Sequence, residues 1–94
     1  MHTNSFEISR KETAQLHFDI GEILLDETAV RKRSEAIHKA TYLGNLKHQK
    51  VVISFNTGSN IYKVYTTIWL TYGNYIFLKD DVRIPVERIL AVEF

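Results

Sequence analysis

Ile61-Tyr62-Lys63-Val64-Tyr65-Thr66-Thr67-Ile68-Trp69-Leu70-Thr71-Tyr72 is the stretch on which the fold turns. It is rich in β-branched and aromatic residues, the types that fit a pleated, half-buried surface. Val64, Thr66, Ile68 and Leu70 fall on one face and Tyr65, Thr67, Trp69 and Thr71 on the other, which is the period of a strand. Its length sets it apart from everything around it. Upstream, Lys50 to Phe55 places Val51, Ile53 and Phe55 on one face, and the polar loop Asn56-Thr57-Gly58-Ser59-Asn60 suits a hairpin. Downstream, Gly73-Asn74 makes a tight turn, and Tyr75 to Lys79 alternates Ile76 and Leu78 against Tyr75 and Phe77. Asp80-Asp81 makes the next turn. Val82, Ile84 and Val86 form a further strand, in which Pro85 must sit where no ladder donor is needed. Glu87-Arg88 is a one-turn step, and Ile89 to Phe94 closes the series. Strands this short bury enough apolar surface only by curling on themselves, and a long second strand can bend to serve both halves of a small barrel.

Before Gly44 the pattern changes. From Asp26 to Leu43, the residues Val30, Ile37, Ala40 and Leu43, with Ala29 and Ala36, form an apolar stripe at helical spacing. Asp26 or Thr28 caps the start, and Gly44 stands where a left-handed closing residue is wanted. The spacing predicts a helix over 26–43. Further upstream, Leu16, Phe18 and Ile20 alternate with His17 and Asp19, which predicts a half-buried strand ended by Gly21. Phe6 and Ile8 suit a short strand, and residues 1–5 read as a frayed, disordered end.

The expected architecture is therefore α+β: an N-terminal strand region and one helix, then a five-stranded, strongly bent antiparallel barrel over 47–94, all in a single domain spanning 1–94. The order resembles the SH3-like small barrels and, among them, the Sm-like group. The residues that carry the resemblance are Tyr75-Ile76-Phe77-Leu78-Lys79, the Asp80-Asp81 turn, Ile84-Pro85-Val86 and Glu87-Arg88-Ile89. It implies a helix before the barrel and a helical turn before the last strand. Sm-like proteins bind single-stranded RNA on multi-subunit rings. This chain departs from them at the first hairpin, which lacks the usual Asp-Gly pair, and at Glu87-Arg88, where the bacterial RNA chaperones have Lys-His. The resemblance carries over a fold and no binding residue.

Composition narrows the chemistry. With no cysteine among 94 residues, a disulfide scaffold, a thiolate metal site and a cysteine nucleophile are all excluded. His2, His17, His38 and His48 show no metal-ligand spacing, so no metal or other cofactor is expected. No phosphate loop, nucleophile elbow or paired-carboxylate motif occurs, and the chain is read as a non-enzyme with no catalytic residue. No long apolar run is present, so neither a membrane span nor a secretory signal is read, and a cytoplasmic location is the expectation.

Two features bear on partners. The net charge of +1 conceals segregation: residues 31–50 carry Arg31, Lys32, Arg33, Lys39, Lys47 and Lys50 against Glu35 alone, a local +5 against −4 for the remainder. A solvated helix face with pairs such as Glu35 to Lys39 is the plain account, and a surface for phosphates or an acidic partner is the functional one. Aromatic side chains are also concentrated, with Tyr62, Tyr65, Trp69, Tyr72, Tyr75 and Phe77 close in sequence. They serve either as cross-strand core or as a recognition surface. The expected role is a binding or adaptor module acting through protein–protein contacts, with a protein partner or a second copy through strand edges. Its candidate surface is Arg31, Lys32, Lys39, Lys47, Tyr65, Trp69 and Tyr75. The alternative is single-stranded nucleic-acid binding through the same basic segment and strand aromatics.

Overall fold

A computed structural model describes residues 5–94, so Met1 to Asn4 of the expected disordered end lie outside the described residues. Ser5, placed in that end by the sequence, is instead the first residue of β1 (Ser5–Ile8). The chain continues through a one-turn helix α1 (Arg10–Thr13), closed at its start by a capping box between Ser9 and Glu12. The long helix α2 (Glu27–Lys47) follows. Then come β2 (Val51–Asn56), β3 (Ile61–Thr66), β4 (Leu70–Tyr72), β5 (Tyr75–Phe77), β6 (Arg83–Pro85) and β7 (Ile89–Glu93). Among the described residues the fold is α+β, with seven strands in two sheets.

The first sheet runs β1-β3-β2-β7 and the second β4-β5-β6. All ladders are antiparallel except β1 with β3, which is parallel. The expected hairpins form where turn residues allow them. Gly58 and Gly73 adopt positive φ, and so do Asp80 and Asp81 at 62° and 60°, a conformation that aspartate tolerates better than most side chains. Pro85 ends β6, an outer strand where a missing donor costs nothing. Val86 to Arg88 form the expected step, as a 3-10 turn.

Three expectations give way to packing. The stretch 61–72 is two strands in two sheets, because Thr66 pairs with Val51, the first residue of β2, and no ladder partner continues beyond it. Thr67, Ile68 and Trp69 then turn the chain, with Thr67 and Ile68 buried and the Thr67 hydroxyl donating to the His48 carbonyl at 3.2 Å. Leu16 to Ile20 is extended but joins no sheet, although Leu16 and Phe18 pack on the core as their alternation implies. The helix, finally, does not end at Gly44. It runs to Lys47, and His48 takes the left-handed closing position at φ 55°.

Gly44 has a different purpose. A Cβ there would lie 2.3 Å from the Ile68 carbonyl oxygen and 2.9 Å from Thr67 Cγ2. The absent side chain lets the last turns of α2 rest on the 67–69 bend. Around this contact the core gathers Ile37 and Ala40 of α2 with Val51, Ile53, Phe55, Val64, Ile68, Ile76, Ile84, Ile89 and Val92 of the sheets. Helix propensity alone favours Gly44→Ala by about 1 kcal/mol. Overpacking against a backbone oxygen costs about 1–3 kcal/mol and opposes it. Gly44→Ala is therefore expected to lower the urea unfolding midpoint. A raised midpoint would show that the helix does not approach the bend so closely.

Candidate functional site

Residues 16–26, between α1 and α2, form a strap whose backbone is held from outside. The Asp19 N–H donates to the Thr57 carbonyl at 2.9 Å and the Ile23 N–H to the Glu87 carbonyl at 3.2 Å. The Gly21 N–H donates to the Glu87 carboxylate. Two buried arginines complete the attachment. Arg88 donates from Nε to the Asn56 carbonyl at 2.9 Å and from a terminal nitrogen to the Gly21 carbonyl at 3.0 Å. Arg33, on the inner side of α2, forms a two-pronged ion pair with Glu22 and donates to the Ile89 carbonyl at 3.1 Å. The Arg33 hydrogen bond, opposed by partial burial, holds the Glu22 carboxyl well below its usual range, at about 2. Arg33 thus belongs to the interior, and the basic segment presents Arg31, Lys32, Lys39, Lys47 and Lys50 without it.

A partly apolar surface lies where the C-terminal half of α2 meets β4. An open groove of about 560 Å³ runs between them, lined by Ile37, Tyr42, Trp69, Leu70 and Val86 among others. Part of its polar wall is bonded internally. The Asn45 amide donates to the carbonyls of Thr41 and Trp69, both at 2.8 Å. The Thr41 hydroxyl donates to the Ile37 carbonyl and accepts from Thr71, again at 2.8 Å each. At the rim of the groove Tyr42, at 63%, and Leu70, at 52% exposed, face solvent, and Leu46 and Tyr72 are exposed beyond its lining. Tyr42 and Leu46 are one helical turn apart, and Leu70 and Tyr72 share a strand face. Apolar side chains exposed at the rim of a groove are a mark of a contact site.

The aromatic residues singled out from sequence do not form one platform. Tyr65 is exposed on β3, beside a shallow cleft with Glu7 and Lys63, and the Lys50 ammonium lies 5.6 Å from its ring. Trp69 is half-buried in the α2–β4 groove, with the His48 ring edge-on at 5.0 Å. Tyr75 lines a third cleft, under the strap, and its face is covered by the Arg83 guanidinium at 4.7 Å. Of the candidate cations, Arg31, Lys32, Lys39 and Lys47 are all exposed on α2. Lys39 sits 4.6 Å from the Phe94 ring centroid. The basic candidates therefore share a helix, while the aromatic ones are distributed among three surfaces.

Tyr42, Leu46, Leu70 and Tyr72 were not on the sequence-derived surface. Tyr42 and Leu46 had a legible signal, an apolar pair at i,i+4 lying off the Val30-Ile37-Ala40 stripe. Leu70 and Tyr72 had none, because the break at 67–69 decides which way they face. Among the described residues no group of three or more histidine, aspartate and glutamate side chains is placed to hold a metal ion. Nor is any helix long and apolar enough to cross a membrane. No family model matches the chain, and neither curated proteins nor solved structures yield a match.

The strap predicts an acid dependence. A carboxyl whose folded-state value lies below its unfolded one stabilises the fold above the unfolded value, and that contribution fades as pH falls toward the folded one. For Glu22 the window runs from 4.5 down to about 2. Urea midpoints measured across this range should fall more steeply for the wild type than for Glu22→Gln, so that the two converge at the acid end. Parallel curves would remove Glu22–Arg33 from the account of acid sensitivity.

Proposed function

We propose that this chain is a non-enzymatic binding or adaptor module that docks a protein segment on the α2–β4 surface. The observation that carries the reading is that Tyr42 and Leu70, both more than half exposed, stand at the rim of a groove in which Thr41, Asn45 and Thr71 are already engaged in bonds within the molecule. With Thr41, Asn45 and Thr71 so engaged, much of what the groove offers an occupant is apolar contact, and tyrosine is a side chain well suited to dominate such a contact.

The strand order supports a matching view of the fold, as an open SH3-like small barrel with Sm-like features. The chain climbs through β2 and β3, bends at 67–69, and passes through β4, β5 and β6. It returns over a 3-10 turn to pair β7 with β2. The strap and α2 lie outside this circuit.

A selection of displayed random peptides on the purified protein tests docking. Recovered peptides should be predominantly apolar, and Leu70→Asp should lower their affinity about tenfold or more while leaving thermal unfolding unchanged. Peptides indifferent to Leu70→Asp, or none at all, would overturn this use of the groove.

A second reading, single-stranded nucleic-acid binding, is favoured by one contact, the Lys50 ammonium against the exposed ring of Tyr65. It predicts quenching of Trp69, the sole tryptophan, on titration with oligonucleotide at low salt, reversed steeply by added salt. Fluorescence unchanged together with no mobility shift would dismiss it.

A further inference from the structure

The strap is attached differently from the rest of the fold. None of its residues is buried, and Ile20 and Leu25 are 95% and 100% exposed. Its hold on the core is the half-buried pair Leu16 and Phe18, the Phe18 ring lying 5.6 Å from that of Phe55. Its other attachments are polar. They are the backbone bonds of Asp19 and Ile23 and the contacts of Gly21 and Glu22 with Glu87, Arg88 and Arg33. In the sheets, by contrast, Ile53, Phe55, Val64 and Ile84 are buried completely or nearly so. A segment that buries so little apolar surface opens at a lower free energy than the core it rests on.

What flanks the strap is secured independently of it. Before it, Thr13 of α1 is buried and β1 is paired with β3. After it, the Asp26 carboxylate caps α2 by accepting from the Thr28 N–H at 3.1 Å. The two arginines are anchored on their own side as well. Arg33 bonds the Ile89 carbonyl and Arg88 the Asn56 carbonyl, and neither bond involves the strap. Each guanidinium therefore keeps a fixed partner when the strap is away, and its remaining donors stay placed for the strap's return.

The strap is also one wall of a cleft of about 600 Å³. Leu16, His17 and Phe18 line it from the strap, and Tyr75, Arg83 and Pro85 from β5 and β6. Among the described residues no hydrogen bond joins 16–20 to 74–85, so these walls separate without breaking one. The cleft shares no lining residue with the α2–β4 groove.

We propose that the strap is a lid: residues 16–26 lift as a unit, with Arg33 and Arg88 as the catches, and open the cleft beside β5 and β6 while α2 and both sheets stay folded. Lids belong to the low-stability part of a fold by necessity, since they must move without unfolding what they cover.

Native-state hydrogen exchange on the full chain, followed residue by residue at rising urea below the unfolding midpoint, tests this. The amides of Asp19, Gly21 and Ile23, all hydrogen-bonded in the closed strap, should be protected at least about tenfold less than those of Ile53 and Val64. The three should share one opening free energy with a small urea slope, because little surface is exposed, while the sheet amides follow the slope of global unfolding. Glu22→Gln, at a side chain 37% exposed, should lower the protection of all three about tenfold, with circular dichroism verifying that the variant folds. Strap amides with the protection and urea slope of the sheet amides would overturn the lid, since the strap then opens only when the whole chain unfolds. Three unrelated opening energies overturn its movement as a unit. Protection unmoved by Glu22→Gln overturns Arg33 as a catch.

Discussion

The architecture depends on a buried guanidinium. Arg33 sits on the inner side of α2 at 6% exposure, and its bonds reach two other parts of the molecule, Glu22 of the strap and the Ile89 carbonyl at the start of β7. Burying such a charge costs several kcal/mol, offset here by the bonds of its terminal nitrogens to Glu22, which keeps some contact with water, and to Ile89, while Nε is buried without a partner. The pair therefore has a defined geometry, and that geometry decides where the strap lies. Arg88 repeats the device nearby, joining Gly21 to the end of β2. With its backbone pinned by these bonds, the strap buries Leu16 and Phe18 in part and turns Ile20 and Leu25 outward.

A second constraint, the close approach at Gly44, works at the other end of the helix. It brings α2 onto the 67–69 bend, and the bend sends β4 into a different sheet from β3. The groove exists because these two events coincide. Asn45 and Thr41 bond residues 69–71 from the helix side, and Tyr42 and Leu70 stand exposed at the rim. Displayed surface here is a by-product of how tightly the backbone packs below it.

Much of the fold was legible. The alternation of Val51, Ile53 and Phe55, the turns at Gly58, Gly73 and Asp80-Asp81, and the stripe of Val30, Ile37 and Ala40 all describe what the structure contains. The misreadings have one source. Leu16-Phe18-Ile20 has the period of a strand and is extended, yet a ladder needs a neighbouring strand, and the strap finds bonds to Thr57, Glu87 and Arg88 instead. Gly44 has the composition of a helix stop, yet its missing side chain serves a contact from a residue twenty-four positions away. Of the candidate surface, the exposed cations on α2 were readable as off-stripe positions. The grouping of Tyr65, Trp69 and Tyr75 was not, since it assumed one continuous strand.

What the sequence alone determined is local: which segments are helical or extended, where turns fall, which side of each element is apolar, and which chemistries a chain without cysteine lacks. These follow from periodicity and residue type, properties expressed over a few neighbouring positions. Only the tertiary structure decided that Arg33 is interior, that 61–72 divides between sheets, and that apolar side chains stand exposed toward both ends of α2. Each of those outcomes depends on a partner distant in the chain, and a hydrophobic period marks a face for burial without specifying what will cover it.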